Sequence, residues 1–210
     1  LEARPTVGGT AGSEAFAGGV VNVCNCDHVS IRTTPVIQDL RLEECGLHYL
    51  DLEPGMAGWA WAGGPAWTLY HDLARTLDGL AETHPEDVDG YRRYVEAALP
   101  AARLVIAAAQ EPPRFRGLAQ LGARRRFAGL GTVLRWSRRP AADVLRDYFR
   151  TDSLIGPALV GGPMVWGVSP EAPGTGLGAL GYAMRHVVQV GRPVGGSGAL
   201  TEALRAAFEQ

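Results

Sequence analysis

Lysine is absent: all 20 basic residues are arginine. Within these 210 residues, that excludes chemistry resting on a Schiff-base lysine or on the lysine of a phosphate-binding P-loop. Cysteine is scarce, with 3 residues, and the odd number argues against a disulfide framework and suits a reducing cytoplasm. No apolar run approaches the ~18 residues of a helical membrane span. Residues 1–20 lack the basic start and apolar stretch of a signal peptide, and the chain does not open on methionine. It reads as an internal portion of a longer protein. Metal-ligand sets are also thin. Cys24, Cys26, Asp27 and His28 supply the right residue types, but no distant Cys/His pair completes a tetrahedral site, and Cys45 is the only other thiol. No metal is expected.

The charge that is present is unevenly placed. Residues 1–110 hold 7 arginines against 15 acids, residues 111–150 hold 10 against 3, and residues 151–210 hold 3 against 4. A basic block of this kind is most simply a solvated helical face. It is also where a peripheral contact with an anionic membrane would fall, through residues 114–150. No nucleic-acid motif accompanies it.

Hydrophobic periodicity and punctuation give a mixed α/β reading. Residues 1–33 are glycine-rich loop plus strand, with "GGVVNVCNCDHVSI" extended. A helix follows, with Thr34 as N-cap, Pro35 at its first position and Gly46 as its stop. "LHYLDL" alternates as a strand, and "GWAWAGGPAWTLY" has the form of a hairpin carrying Trp59, Trp61 and Trp67. Thr83 and Glu86 match a capping box. After them Tyr91, Tyr94, Val95, Ala98 and Leu99 repeat at helical spacing, until Pro100 should kink or end the helix. Residues 114–160 are arginine-rich and helical in character, including "PAADVLRDYF", whose Val144, Leu145, Tyr148 and Phe149 share one side. Further helices are predicted through 177–188 and after Ser197, where Leu200, Leu204 and Phe208 recur every four residues.

Few of these residues announce chemistry on their own. "GRPVGGSGALTEAL" is a glycine-rich loop entering a helix, a form that can hold a phosphate. It has neither the P-loop lysine nor G-x-G-x-x-G. "GGSG" is not the G-x-S-x-G of a hydrolase. His186 lies on a helix among apolar neighbours, the usual setting of a structural histidine. The three tryptophans of the hairpin read first as core.

Taken in order, however, the pieces resemble a known family. "LEAR…VGG", a capped helix ending "EECGL", the tryptophan hairpin, "HPEDVDGYRRYV", "VLRDYF", "PGTGLGALGYAMRH" and "GRPVGGSGALTEAL" resemble the phytoene-desaturase-like branch of the amine oxidase flavoproteins, over essentially the whole chain. The resemblance implies a portion of an FAD-dependent oxidoreductase. Residues 1–33 would be a remnant of a Rossmann-type FAD-binding domain. Residues 34–210 would be a substrate-binding or cap domain with a β-sheet and a helical subdomain at about 83–160. Glu2 would bind the adenosine ribose, and Arg4, Gly8, Gly9 and Thr10 would line the adenosine and pyrophosphate side. Cys24 and Cys26 would stand where the family has Asp and Gly on a strand passing near the flavin. Trp59, Trp61, Trp67 and Tyr182 would line the pocket of an apolar substrate, isoprenoid or lipid-like, that yields a hydride to flavin. His28 and His186 are the polar groups nominated near the ring. The glycine-loop strand–turn–helix would precede Leu1, and a second flavin-contacting segment would follow Gln210. The alternative is a substrate-binding or interaction domain without redox activity.

Overall fold

The computed structural model describes residues 6–29, 31–60, 63–112 and 114–210. Along them run β1 (Ser13–Phe16), β2 (Gly19–Asn22), α1 (Val36–Asp39), β3 (Tyr49–Asp51), β4 (Met56–Gly58), β5 (Trp67–Leu69), α2 (Leu73–Thr83), α3 (Val88–Gln110), α4 (Phe115–Arg124), α5 (Leu130–Trp136), α6 (Ala141–Arg146), α7 (Asp152–Gly161), α8 (Gly181–Val187), β6 (Gly191–Pro193) and α9 (Gly198–Phe208), with short 3₁₀ turns between them. The mixed α/β reading holds. Among the described residues the strands form two-stranded antiparallel ribbons, β1–β2, β3–β6 and β4–β5. The chain folds as two compact units, one of residues 1–52 and 188–210, the other of residues 53–187. The smaller unit takes in both sides of residue 33, with the partly buried Ile31 packed against its core.

That core joins Ile37, Leu42 and Leu47 to Leu200 and Ala203 of α9. The β1–β2 hairpin turns through Ala17 (φ 49°) and Gly18 (φ 79°). Two successive left-handed residues give the turn whose twist matches that of the strands. β3 pairs with β6, placing Tyr49 opposite Pro193 and Asp51 opposite Gly191. The pairing is prolonged where Leu52 N–H donates to the Val190 carbonyl (3.1 Å) and Val194 N–H to that of His48 (2.9 Å). The helix expected from Thr34 to Gly46 is helical only over Val36–Asp39. The Thr34 hydroxyl donates back to the Ile31 carbonyl (2.8 Å) instead of capping. Arg41 turns left-handed (φ 49°), which lets Leu42 and Leu47 both enter the core.

In the larger unit, α3 is the central element. Tyr91, Tyr94, Val95 and Ala98 are buried along one face, joined by Ala101 and Ala102. Pro100 does not end the helix; the small alanines around it let the run continue to Gln110. Thr83 and Glu86 form no capping box. Thr83 is the last residue of α2, its hydroxyl donating to the Gly79 carbonyl (2.8 Å). α2 itself went unpredicted, although Asp72 is an N-cap whose carboxylate accepts from Arg75 N–H (3.1 Å). The tryptophan hairpin is present as β4–β5, with Trp67 in the core and Trp59 exposed; Trp61 lies outside the described residues. Residues 114–160 are helical as predicted, through α4 to α7, and Val144, Leu145 and Phe149 are buried together.

Asp87 holds this unit at one point. Its side chain is fully buried. Its carboxylate accepts from Arg150 N–H (2.6 Å), Thr151 N–H (3.1 Å) and the Thr151 hydroxyl (2.5 Å), at the start of α7. Three donors aimed at one buried carboxylate lose their acceptor together if it is removed. We expect Asp87→Ala to cost about 3 kcal/mol, read as a lowered midpoint in urea at an unchanged slope.

Candidate functional site

The residues nominated from sequence separate into three groups. Glu2, Arg4 and Trp61 lie outside the described residues. Trp67 and Tyr182 lie in the core of the larger unit. They pack edge to face with ring centroids 5.2 Å apart. The Trp67 indole donates to the Ser153 carbonyl (2.8 Å) and the Tyr182 hydroxyl to that of Leu154 (2.5 Å). Both serve as packing, with their polar atoms committed to backbone, whereas Trp59 is on the surface.

His186 is in the same unit. Its Nδ1 faces the His71 carbonyl (3.1 Å), which can only accept, so Nδ1 carries the proton and Nε2 accepts from the Tyr91 hydroxyl (2.8 Å). Burial holds its pKa below the usual histidine value. His28, in the smaller unit, is arranged likewise. The Asn25 side-chain amide donates to Nε2 (3.2 Å), and Nδ1–H donates to the Tyr49 hydroxyl (2.7 Å). Burial again lowers the pKa. Both rings are therefore neutral, with both nitrogens engaged. Proton transfer by either would first break a bond that positions it.

Gly8 and Gly9 gather with a distant part of the chain. In the smaller unit a cleft of about 670 Å³ is lined by Thr6, Val7, Gly9, Ser13, Glu14 and Val20 from the N-terminal region, and by Gly195, Gly198, Ala199, Thr201 and Glu202 from the start of α9. Gly8 (φ 114°) is required by close approach, since a Cβ there would come within 2.7 Å of the Thr201 side chain. The Thr201 hydroxyl donates to the Val7 carbonyl (3.3 Å). Gly9 and Gly195 face open space where a Cβ would stand. Thr10, at an exposed turn, does not line the cleft.

The residues that build this cleft were not nominated from sequence. Asn22 Oδ1 accepts from Ser197 N–H (2.8 Å) and from the Ser13 hydroxyl (3.0 Å), and Ser13 Oγ accepts from Gly198 N–H (3.0 Å). The Ser197 hydroxyl donates to the carbonyls of Asn25 (2.6 Å) and Cys24 (3.1 Å) instead of capping α9. Ala199 and Leu200 N–H donate to Gly196 and Ser197 carbonyls. The donors of the "GGSG" helix start are thus taken by the protein's own atoms. They are not presented to a phosphate. Their one sequence signal was a pair of polar side chains, Ser13 and Asn22, opposite each other at the open end of a hairpin.

Cys24 to His28 is not a strand. His28 forms an isolated bridge to Gly191, Asn25 is left-handed (φ 55°), and Cys24 and Cys26 are exposed free thiols. Asp27 is committed to Arg192, Oδ1 to Nε at 2.7 Å. No group of three or more His, Cys, Asp or Glu side chains that could hold a metal ion occurs among the described residues. No family model matches the chain, and no curated protein matches it.

The two lowered histidines set a pH dependence. Below pH 6.5 the unfolded chain binds protons that the folded chain refuses, so stability falls as pH drops through that value towards the folded pKa values. Urea midpoints measured from about pH 7 to about pH 5 should decline. His186→Gln and His28→Gln should each flatten the decline, and a parent midpoint constant over that range would refute the neutral, buried assignment.

Proposed function

We propose that the chain is a portion of an FAD-dependent oxidoreductase of the phytoene-desaturase-like kind, acting on an apolar, isoprenoid or lipid-like substrate. The observation that carries the reading is the cleft of the smaller unit. The run ending in Gly8–Gly9 and the "GGSG" run, far apart in sequence and both part of the family resemblance, line it together.

The lining fits one end of such a cofactor. Gly9 and Gly195 leave room for a flat group to approach backbone. The Glu14 and Glu202 carboxylates are acceptors suited to ribose hydroxyls. The lining holds no cation among the described residues, and Arg4, the cation nominated for the pyrophosphate side, lies outside them. In this reading the pyrophosphate falls to the glycine loop expected ahead of Leu1, and Glu2 to the adenosine ribose. The smaller unit is then the edge of a Rossmann-type domain, and the larger unit the cap.

When bound, the flavin supplies the hydride acceptor, which is why the reaction asks little acid–base chemistry of the protein. The protein's part is to bind, to orient and to exclude water. The locked, neutral state of His28 and His186 accords with that. The same locked state favours the second reading, a substrate-binding or interaction domain without redox activity, because no side-chain pair stands ready for proton transfer.

The protein encoded by the full open reading frame separates the two. The oxidoreductase reading expects it to purify with flavin absorbance near ~450 nm, and Glu2→Ala to reduce the flavin retained by about tenfold or more as a ribose acceptor is lost. A folded, colourless protein that takes up no added FAD would sink that reading and leave the binding domain.

A further inference from the structure

All 3 cysteines of the chain lie in the smaller unit, and their settings differ. Cys45 is half-buried and packs against the core of Ile37, Leu42, Leu47 and Leu200. Its sulfur accepts from the Gln210 side-chain amide (3.4 Å). Cys24 and Cys26 are exposed, and neither thiol makes a hydrogen bond among the described residues. A chain poor in cysteine thus presents a pair of thiols on its surface with one residue between them.

The segment that carries them is held residue by residue. The Ser197 hydroxyl donates to the carbonyls of Cys24 (3.1 Å) and Asn25 (2.6 Å). The Asn25 side-chain amide donates to His28 Nε2 (3.2 Å). The Asp27 carboxylate accepts from Arg192 of β6 (2.7 Å), and His28 N–H donates to the Gly191 carbonyl (2.9 Å). Carbonyls and polar side chains from Cys24 to His28 are therefore committed to the start of α9, to β6 and to one another. The thiols are the reactive groups that the segment leaves to solvent.

Chain geometry keeps the two sulfurs within reach of each other. The α-carbons of residues two apart lie at most about 7 Å apart. Asn25, between the cysteines, is left-handed (φ 55°). A residue of that conformation coils the chain and shortens the span towards the ~5.5–6 Å at which disulfides are commonest. A metal is the poorer occupant of such a pair, because no third ligand joins it among the described residues.

We infer that Cys24 and Cys26 form a thiol–disulfide exchange site, oxidised to an intramolecular disulfide by a low-molecular-weight disulfide and restored by the corresponding thiol. In the first step the thiolate of one cysteine attacks one sulfur of the small disulfide. The small molecule's S–S bond breaks, and its other half leaves as a thiolate and takes up a proton. The protein sulfur is left joined to the small molecule as a mixed disulfide. The second cysteine then loses its proton and attacks that protein sulfur. The Cys24–Cys26 bond forms and the second small thiolate leaves. The protein's two thiols have been oxidised and one small disulfide has been reduced to two thiols, so no further oxidant enters. The second step is intramolecular, which favours ring closure over a lasting mixed disulfide.

The position of the site gives the exchange a consequence within the smaller unit. The carbonyls of Cys24 and Asn25 anchor Ser197, at the head of α9. The new bond therefore closes at the joint between the β1–β2 hairpin and α9, both of which line the cleft. The inference stands whether or not that cleft binds a flavin.

The test treats the full chain, reduced and freed of reductant, with excess glutathione disulfide. The expected product has lost two hydrogens and carries no glutathione. Its bridge should map to the tryptic peptide that ends at Arg32, which contains Cys24 and Cys26 but not Cys45. Excess reduced glutathione should return both thiols. Cys24→Ser and Cys26→Ser should each stop at a stable glutathione adduct, since the resolving thiol is gone. Thermal unfolding of both reduced variants should match that of the reduced parent, because both side chains are exposed. A parent that keeps glutathione on either cysteine would overturn the inference. So would a bridge to Cys45, a disulfide-linked dimer, no reaction at all, or zinc retained by the parent and lost in the serine variants.

Discussion

The hydroxyl of Tyr94 sets the geometry of the larger unit. It donates to the Ala179 carbonyl (2.6 Å) and accepts from Ala183 N–H (3.2 Å). One buried phenol therefore fixes both the 3₁₀ turn before α8 and the first turn of α8. Its ring stacks on Trp136 and meets Tyr148, Phe149, Tyr91 and Tyr182. Burial drives the Tyr94 pKa far above the ordinary tyrosine range, so the group is held as a neutral donor. A core this rich in phenol and indole is stable only if each polar atom finds a partner as the rings close. That condition is met: no buried side-chain nitrogen or oxygen among the described residues is left unpaired. The positions of α3, α5, α7 and α8 follow from satisfying it.

How much of this could be read from the amino acids depends on the range of the interaction. α3 was legible because Tyr91, Tyr94, Val95 and Ala98 repeat along a single face, and α9 because Leu200 and Leu204 follow a glycine loop. The Thr83–Glu86 pair misled because a local motif was weighed without its neighbour. α2 already runs into Thr83, so that residue closes a helix instead of opening one. The Asp72 cap and the Leu73, Leu77, Leu80 spacing would have revealed α2. The shortening of α1 was not legible, since it turns on a left-handed Arg41, which sequence does not announce. The hairpin tryptophans read first as core, and Trp67 is there, but the core role of Tyr182 was not legible. An aromatic that lines a pocket and one that fills a core look alike until the partner of the polar atom is known.

The cleft of the smaller unit shows the same limit from the functional side. Its glycines were visible in sequence, and their clustering with Thr201 and Glu202 was not. The helix start that resembled a phosphate cradle is closed by Ser13 and Asn22, side chains contributed by a hairpin 175 to 185 residues earlier in the chain. The electrostatics of the two units also differ. The cleft carries carboxylates, while the outer helices of the larger unit carry exposed arginines. A single net charge of −2 averages over both and describes neither.

The β3–β6 ribbon bears on the order in which the chain acquires its structure. The strand that ends at Asp51 cannot pair until Gly191 has been made, and Leu52 and Val190 are hydrogen-bonded neighbours across that pairing. The larger unit, whose contacts lie within one continuous stretch, needs nothing from outside 53–187 to close its own core. During synthesis it can therefore fold first. Once compact, it replaces a long floppy loop with a short effective one and spares the smaller unit most of the entropy of bringing its two halves together. The cleft is then the last feature to exist, and it exists only in a chain that has been carried through to α9.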